Sequence, residues 1–529
     1  MKKKSIITKF LMAQLLFWSV FSLILNTIPV SSQTVTRTSG SFSLKSSAVS
    51  FSNATVISDG FNGVYWNDDD SWNPAVAVDS SNIVHALWYG STDGPWGTDL
   101  EIIYANYAIT TGWSNVTIIS DGFGGVYWND GASTHPAVAV DSNNTVHVVW
   151  EDFTDGPWGT GIDSEIMYAK FTTATGWSNA TVISDGYSGV YWNDAGSYKP
   201  AVAVDSSNIV HVVWHDYTDG PWGTDIEIMY ASYTIATGWS NATVISDGFG
   251  GVYWNVDHSA VPAVAIDSNN AVHVVWEDYT DGPWGTDIEI MYVKHTTATG
   301  WSNATVISDG FGGVYWNDYS SINAAIAINS TNGIHVVWDD ETNGAWGIDR
   351  EIMYAVYTTG WSNATLLSDG QNSIYWNDDD SSNPEIVVDG NNVIHVVWED
   401  QTDDGWGTDS EIMYTEFTTT MGWSLPLVIS DGYGGDYWND GASAAPNIAT
   451  GTIAVHVVWF DYTNGPWGTD VEIMHTSIVG EINGNYIIRI ERSRNLVLNF
   501  PINYPCNFIF RIKNLKFYRT FYLNYFFVT

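Results

Sequence analysis

The chain has 529 residues, one cysteine, and 17 Lys plus Arg against 59 Asp plus Glu, a formal net charge of -42. A single cysteine excludes an intrachain disulfide, and so acidic a chain excludes nucleic acid as a partner, because that binding rests on Lys and Arg neutralising phosphates. Between Phe51 and Ile478 the only Lys and Arg residues are Lys170, Lys199, Lys294 and Arg350, so this stretch is more acidic than the whole and suits cations or neutral ligands.

The chain opens with Lys2, Lys3, Lys4 and Lys9, an apolar run from Phe10 to Leu25, and Val30-Ser31-Ser32. This pattern predicts a secretory signal peptide over 1–32 and a secreted or cell-surface protein, with an uncleaved anchor as the alternative. Residues 33–49 are Ser/Thr-rich and read as a linker. The sequons at Asn53, Asn115, Asn143, Asn179, Asn241, Asn303, Asn329 and Asn363 suit an exported chain, although duplication alone explains most of them.

Over 50–478 a unit of about 62 residues runs seven times. Each holds a YWN segment, a (V/I)HxxW segment, a WG loop and a GWS run, except that the GWS run is missing after Ile478. Its counterpart stands before the first unit, where Phe51 to Ser58 matches Trp177 to Ser184 with Phe in place of Trp. In the second unit the strands read Pro136 to Val140, Val146 to Trp150, Glu165 to Phe171 and Trp177 to Ser184, with Gly, Asn and Asp between them. Runs apolar on both faces suit strands covered by neighbouring sheets, and the Ala/Val alternation of the first suits a crowded axis. The prediction is an all-β, seven-bladed β-propeller of four-stranded blades, closed by the N-terminal outer strand. After Ile478 the composition turns basic and Trp disappears; 479–529 reads as an unselected tail, with membrane contact through it or the leader as the other reading.

In an up-down-up-down blade, the links before the first strand and after the second emerge on one face. Those links carry the YWN segments, the WG loops and most of the acids, which predicts a crown of carboxylates and indoles. Neutral carbohydrate or a surface protein is the expected partner, held by Trp128, Trp192, Trp254 and Trp316 with Asn129, Asn193, Asn255 and Asn317, and by Trp158, Trp222 and Trp284. Calcium is the expected cofactor, because hard oxygen ligands crowd each acidic loop. Its candidate ligands are Asp152, Asp155, Asp163 and Glu165, then Asp216, Asp219, Asp225 and Glu227, then Asp278, Asp281, Asp287 and Glu289. The opposing reading makes the indoles wedges between blades and the acids turn-formers. The seven repeated histidines, His85 to His456, lie on the second strand and read as packing residues.

The order P-A-V-A-V-D, V-H-V-V-W, I-M-Y, G-W-S and V-I-S resembles sialidase-like propellers with BNR, or Asp-box, repeats. The stretch Thr172 to Trp177 keeps the Gly and Trp of the Asp box and lacks its Asp. The resemblance implies the propeller fold. It does not imply sialidase activity, because the family's three-arginine clamp cannot be built from Arg350 alone. The expectation is a non-catalytic binding propeller; the alternatives are a glycoside hydrolase or lyase of the same fold and a purely structural repeat protein. The pattern-breaking residues Arg350, His215, His258 and Asp436 read as scattered, without a shared constellation.

Overall fold

The computed structural model describes residues 49–59, 69–91, 98–121, 129, 131–154, 163–185, 195–217, 219–220, 222–247, 255, 257–282, 284–309, 319–341, 349–368, 379–401, 408–430, 441–465 and 468–480, and three short strands within 486–523. The expected leader and linker, and most of the 479–529 tail, lie outside them.

Seven antiparallel sheets carry the repeats, and all regular structure among the described residues is strand. Blades 1 to 7 begin with the inner strands Ser71–Val78, Ser133–Val140, Ser197–Val204, Ser259–Ile266, Ser321–Ile328, Ser381–Val388 and Ser443–Thr450. In blade 2 the order continues through Val146–Asp152 and Glu165–Thr172 to an outer strand broken into Gly176–Trp177 and Thr181–Val182.

The ring closes as the sequence predicts. Blade 7 takes its outer strand from the N-terminal end, with Phe51 opposite Ile478, Thr55 opposite His475 and Val56 opposite Met474. Phe51 packs edge-on against Tyr414 at 5.5 Å, the place that Trp239 takes on Tyr168 at 4.9 Å between blades 2 and 3.

The core is divided among the seams between blades. Between blades 1 and 2, for example, Leu87, Ile102, Tyr104 and Ile119 pack on Val146, Val148, Trp150 and Met167. The second-strand tryptophans, Trp88 to Trp459, are fully buried. In blades 2 to 7 the indole Nε1 finds an acceptor two residues on, as in Trp150 to Asp152 at 2.9 Å, which satisfies the one donor that burial would otherwise strand.

One irregularity recurs and positions the site. In every inner strand the register slips, so that two residues oppose one; in blade 3, Lys199 and Pro200 face the single Trp214. The first residue of each bulge has a left-handed φ, 45–53° at Asn73, His135, Lys199, Val261, Asn323, Asn383 and Ala445. Six of these precede proline, which has no N–H to give to the ladder. Left-handed backbone in residues other than glycine is strained, for a β-branched Val261 above all.

Candidate functional site

The bulge residues of all seven blades line one cavity on the ring axis, about 380 Å³ in volume. They stand near the start of the inner strands, on the face from which the acidic loops emerge. The Ala that follows proline in blades 1 to 4 becomes Glu385 in blade 6 and Asn447 in blade 7. Burial pushes the Glu385 carboxyl up to about 7, against a hydrogen bond from Asn447.

Around this mouth the repeats stop being copies. The bulge N–H, freed from the ladder, is taken up by the second strand of the preceding blade: Lys199 N by Glu151 Oε1 at 2.6 Å, Val261 N by His215 Nδ1 at 3.4 Å, Asn323 N by Glu277 Oε1 at 2.7 Å and Ala445 N by Glu399 Oε2 at 3.4 Å. These three acids and one histidine therefore lock adjacent blades together. Glu151 also accepts Thr134 Oγ1 and lies against His135 Nδ1, both at 3.0 Å. Burial would raise the Glu151 carboxyl, but its His135, Lys199 N and Thr134 partners hold it below the usual carboxylate range. Two other carboxyls go the opposite way: burial pushes Glu277 up to about 7 and Asp339 up to about 8, which the charge of Arg350 only partly offsets. Arg350 lies 3.4 Å from Asp339 and 2.6 Å from Glu341.

Aromatic rings surround these groups. Tyr198 stacks on His215 at 5.6 Å and meets Tyr217 edge-on at 5.4 Å, and Tyr89 lies between Trp72 and His135, 5.7 Å from each. Tyr217, Tyr279 and Tyr462, each just past the end of a second strand, are 46%, 36% and 49% exposed.

The expectation that Arg350 and His215 are scattered is corrected here. His215 feels Glu151, Lys199 and His135, while Glu277 feels both Lys199 and Arg350, so these side chains form one electrostatic group on blades 2 to 5. His258 stands beside it, 6.2 Å from Tyr279; Asp436 lies outside the described residues.

Trp128, Trp192, Asn193, Trp254, Trp316, Asn317, Trp158 and Asp155 lie outside the described residues. Asn129 and Asn255 are buried, and each donates to the serine that opens the inner strand and to Asp152 or Asp278. Trp284 is half-buried against the core between blades 3 and 4 and donates Nε1 to Thr280 O at 3.1 Å, and Trp222 is half-buried as well.

Asp152, Asp216 and Asp278 are buried acceptors for indole and serine donors, a setting already filled by protein hydrogens. Glu165, Glu227 and Glu289 are buried, each takes a serine hydroxyl from its own blade, and burial pushes all three up to about 9. Each also feels acids of its own blade and one of the next, as Glu227 feels Asp247, Asp225 and Asp278. Asp219 and Asp281 are exposed, and Asp163, Asp225 and Asp287 half-buried. Among the described residues, no three His, Cys, Asp or Glu side chains converge as a metal would require.

The seven histidines are packing residues, as read from sequence. In blades 1 to 6 Nδ1 meets a tyrosine hydroxyl at 2.7–2.8 Å, in blade 7 it meets His475, and burial holds all seven near 4.

No family model matches the chain, and no curated protein matches it. Solved structures with similar backbones include a PL25 ulvan lyase bound to an oligosaccharide, at 11% identity and a TM-score of 0.49, covering 79% of this chain and 95% of that one. Another is the α-L-arabinofuranosidase of Fusarium graminearum, at 10% and 0.42, covering 66% and 93%. A third is the NanB sialidase from Streptococcus pneumoniae, at 10% and 0.39, covering 79% and 69%.

Proposed function

We propose that the protein binds a carbohydrate chain at the axial mouth of its loop face. The observation that supports this reading is the convergence of the non-repeated polar residues His135, Lys199, Asn323, Asn383, Glu385 and Asn447 on a single cavity, with the exposed Tyr217, Tyr279 and Tyr462 just past the ends of second strands, outside that lining. Exposed tyrosine faces supply flat apolar contact for sugar rings, and the neighbouring acids, amides and imidazoles supply directional hydrogen bonds. The axis thus offers one asymmetric site, distinct from the repeated YWN and WG positions expected from the sequence. Calcium support in the acidic loops, and a secreted or surface location given by the leader, belong to the same proposal.

Titration calorimetry against a panel of oligosaccharides tests it. Tyr217→Ala and Tyr279→Ala alter exposed side chains and should leave the fold within about 0.5 kcal/mol. They should weaken binding up to roughly tenfold each, the worth of one aromatic contact. Binding that is indifferent to both, and lost only on mutating the outer loops, would move the site away from the axis.

A further inference from the structure

We propose that the axial mouth cleaves acidic polysaccharides by β-elimination, with His135 as the base and Lys199 as the anchor for a uronate carboxylate; this rests on the reading that the mouth binds carbohydrate. His135 and Lys199 hold the same bulge position in neighbouring blades, and both line the axial cavity. Elsewhere that position is Asn, Val or Ala. Two reactive side chains are therefore displayed side by side on strained backbone, a placement that packing alone does not call for.

Each is prepared for a different task. His135 Nδ1 is engaged by Glu151, so the tautomer with its proton on Nδ1 leaves the Nε2 lone pair for another partner. Its side chain is 26% exposed, and Nε2 makes no hydrogen bond or ion pair with a described residue. An imidazole oriented by a buried carboxylate is the arrangement that a general base requires. Lys199 is half-buried, and its ammonium makes no hydrogen bond or ion pair with the described residues. Glu151 and Glu277 act on it only from beyond ion-pair distance. An ammonium that lines a cavity without an ion-pair partner among the described residues is a local cationic spot in an otherwise acidic ring, and a ligand carboxylate complements it.

A base and a carboxylate anchor on one edge define the reaction. The proton next to a uronate carboxylate becomes acidic once that carboxylate is neutralised by Lys199. His135 Nε2 takes this C5 proton, the C5–H pair forms the C4=C5 bond, and the C4–O bond breaks with its pair on the departing oxygen. The imidazolium returns the proton to that oxygen, which leaves one new chain end, one unsaturated uronate and the enzyme unchanged. The step needs no oxidant or added water. Glu151 touches no reacting atom and is a positioning residue.

The full chain is incubated with polygalacturonate, alginate, hyaluronan and heparosan, in each of which a chain bond leaves from C4 of a uronate, and the ultraviolet absorbance of the conjugated C4=C5 bond is followed. At least one should give product. His135→Asn should lower kcat by about a hundredfold or more and keep the fold, because Asn73, Asn323 and Asn383 already occupy this position. Lys199→Asn should raise KM for the uronate polymer and leave binding of neutral oligosaccharides intact. Glu151→Gln should lower kcat and shift the acid limb of the pH profile, which a purely structural role would not do. Absence of product from all four polymers, or product formed equally by His135→Asn, overturns the proposal. Neutral-sugar binding at the mouth without elimination overturns this inference alone, whereas no sugar binding at all overturns the reading beneath it.

Discussion

At the scale of the residue, the same letter does different work according to whether its position repeats. The repeated acid that opens each third strand, Glu101 to Glu472, is buried within the blade; at Glu101, Glu165, Glu227, Glu289 and Glu472 burial pushes the carboxyl up to about 9. A folded-state value above the unfolded one means that the native protein binds more protons, so stability falls as pH rises between about 4.5 and 9. The buried histidines, held near 4 against an ordinary 6.5, act in the opposite direction: stability falls as pH drops from 6.5 toward 4. Above 6.5 the histidines no longer act and the raised carboxyls remain, the glutamates together with Asp339 at about 8, so the melting temperature should decline from pH 6.5 to 9. Glu227→Gln keeps the hydrogen-bonding shape without the charge and should flatten part of that slope. A melting temperature that is level across this range would refute the assignment of buried, protonated glutamates.

The residue scale also marks where the sequence was hard to read. Repetition drew attention to the YWN and WG tryptophans, which recur in every unit. The axial site is carried instead by single departures within near-copies: Asn, His, Lys, Val, Asn, Asn and Ala before the alanine or proline of the inner strand. The signal was present as that variable column, but its meaning depends on a bulge that turns seven distant columns toward one axis. Periodicity reports which face a side chain takes, not which of seven blades will share its cavity.

At the scale of the element, the propeller was almost wholly legible, because each strand is a short β-branched or aromatic run bounded by turn residues. Closure was legible for a stricter reason: a missing fourth strand at one end and a surplus one at the other are complementary. The structure adds what the closing strand contributes. Ser58 donates to buried Glu472, Ile473 N donates to Ser58 Oγ, and Phe51, Ala54 and Val56 pack on the core between blades 6 and 7. Deleting 49–58 leaves Glu472 without its hydroxyl and bares the edge of Glu472–Gly480 to pairing with other chains. The variant should melt well below the parent and aggregate, as read by scanning calorimetry with light scattering. Phe51→Trp, which restores the residue used at the other outer strands, should cost nothing and add up to about 1 kcal/mol. An unchanged melting temperature after the deletion would mean that the ring closes without this strand.

At the scale of the whole molecule, the seven seams are not equal. On the face opposite the loops, the turn after each inner strand clasps its neighbour through an asparagine. Ser80 Oγ donates to Asn144 Oδ1 at 2.7 Å, Ser142 to Asn208 and Ser206 to Asn270 at the same distance, and Thr452 Oγ1 to Asn82 at 2.8 Å. Backbone donors of Ser268 and Ser330 reach Asn332 and Asn392. These asparagines adopt left-handed φ values of 59–63°, which Asn tolerates better than most residues. Between blades 6 and 7 the clasp is missing among the described residues. Gly390 stands where the serine should be, and the blade 7 turn, Gly451-Thr452-Ile453-Ala454, holds no asparagine. The same seam borders the one blade assembled from both ends of the ring. Two exposed hydrogen bonds are worth about 0.5 kcal/mol each at the low end, so this seam should open more readily by about 1 kcal/mol, or roughly fivefold. Native-state hydrogen exchange measures it directly. Amides of Ser443–Thr450 should exchange about fivefold faster than their counterparts in Ser197–Val204, where the clasp is intact. Because the axial cavity is walled by every inner strand, that opening would also be the first to loosen a bound ligand, and a saturating oligosaccharide should slow exchange there more than elsewhere. Equal protection at the two strands, with and without the sugar, would show that apolar packing along the seam outweighs the missing clasp.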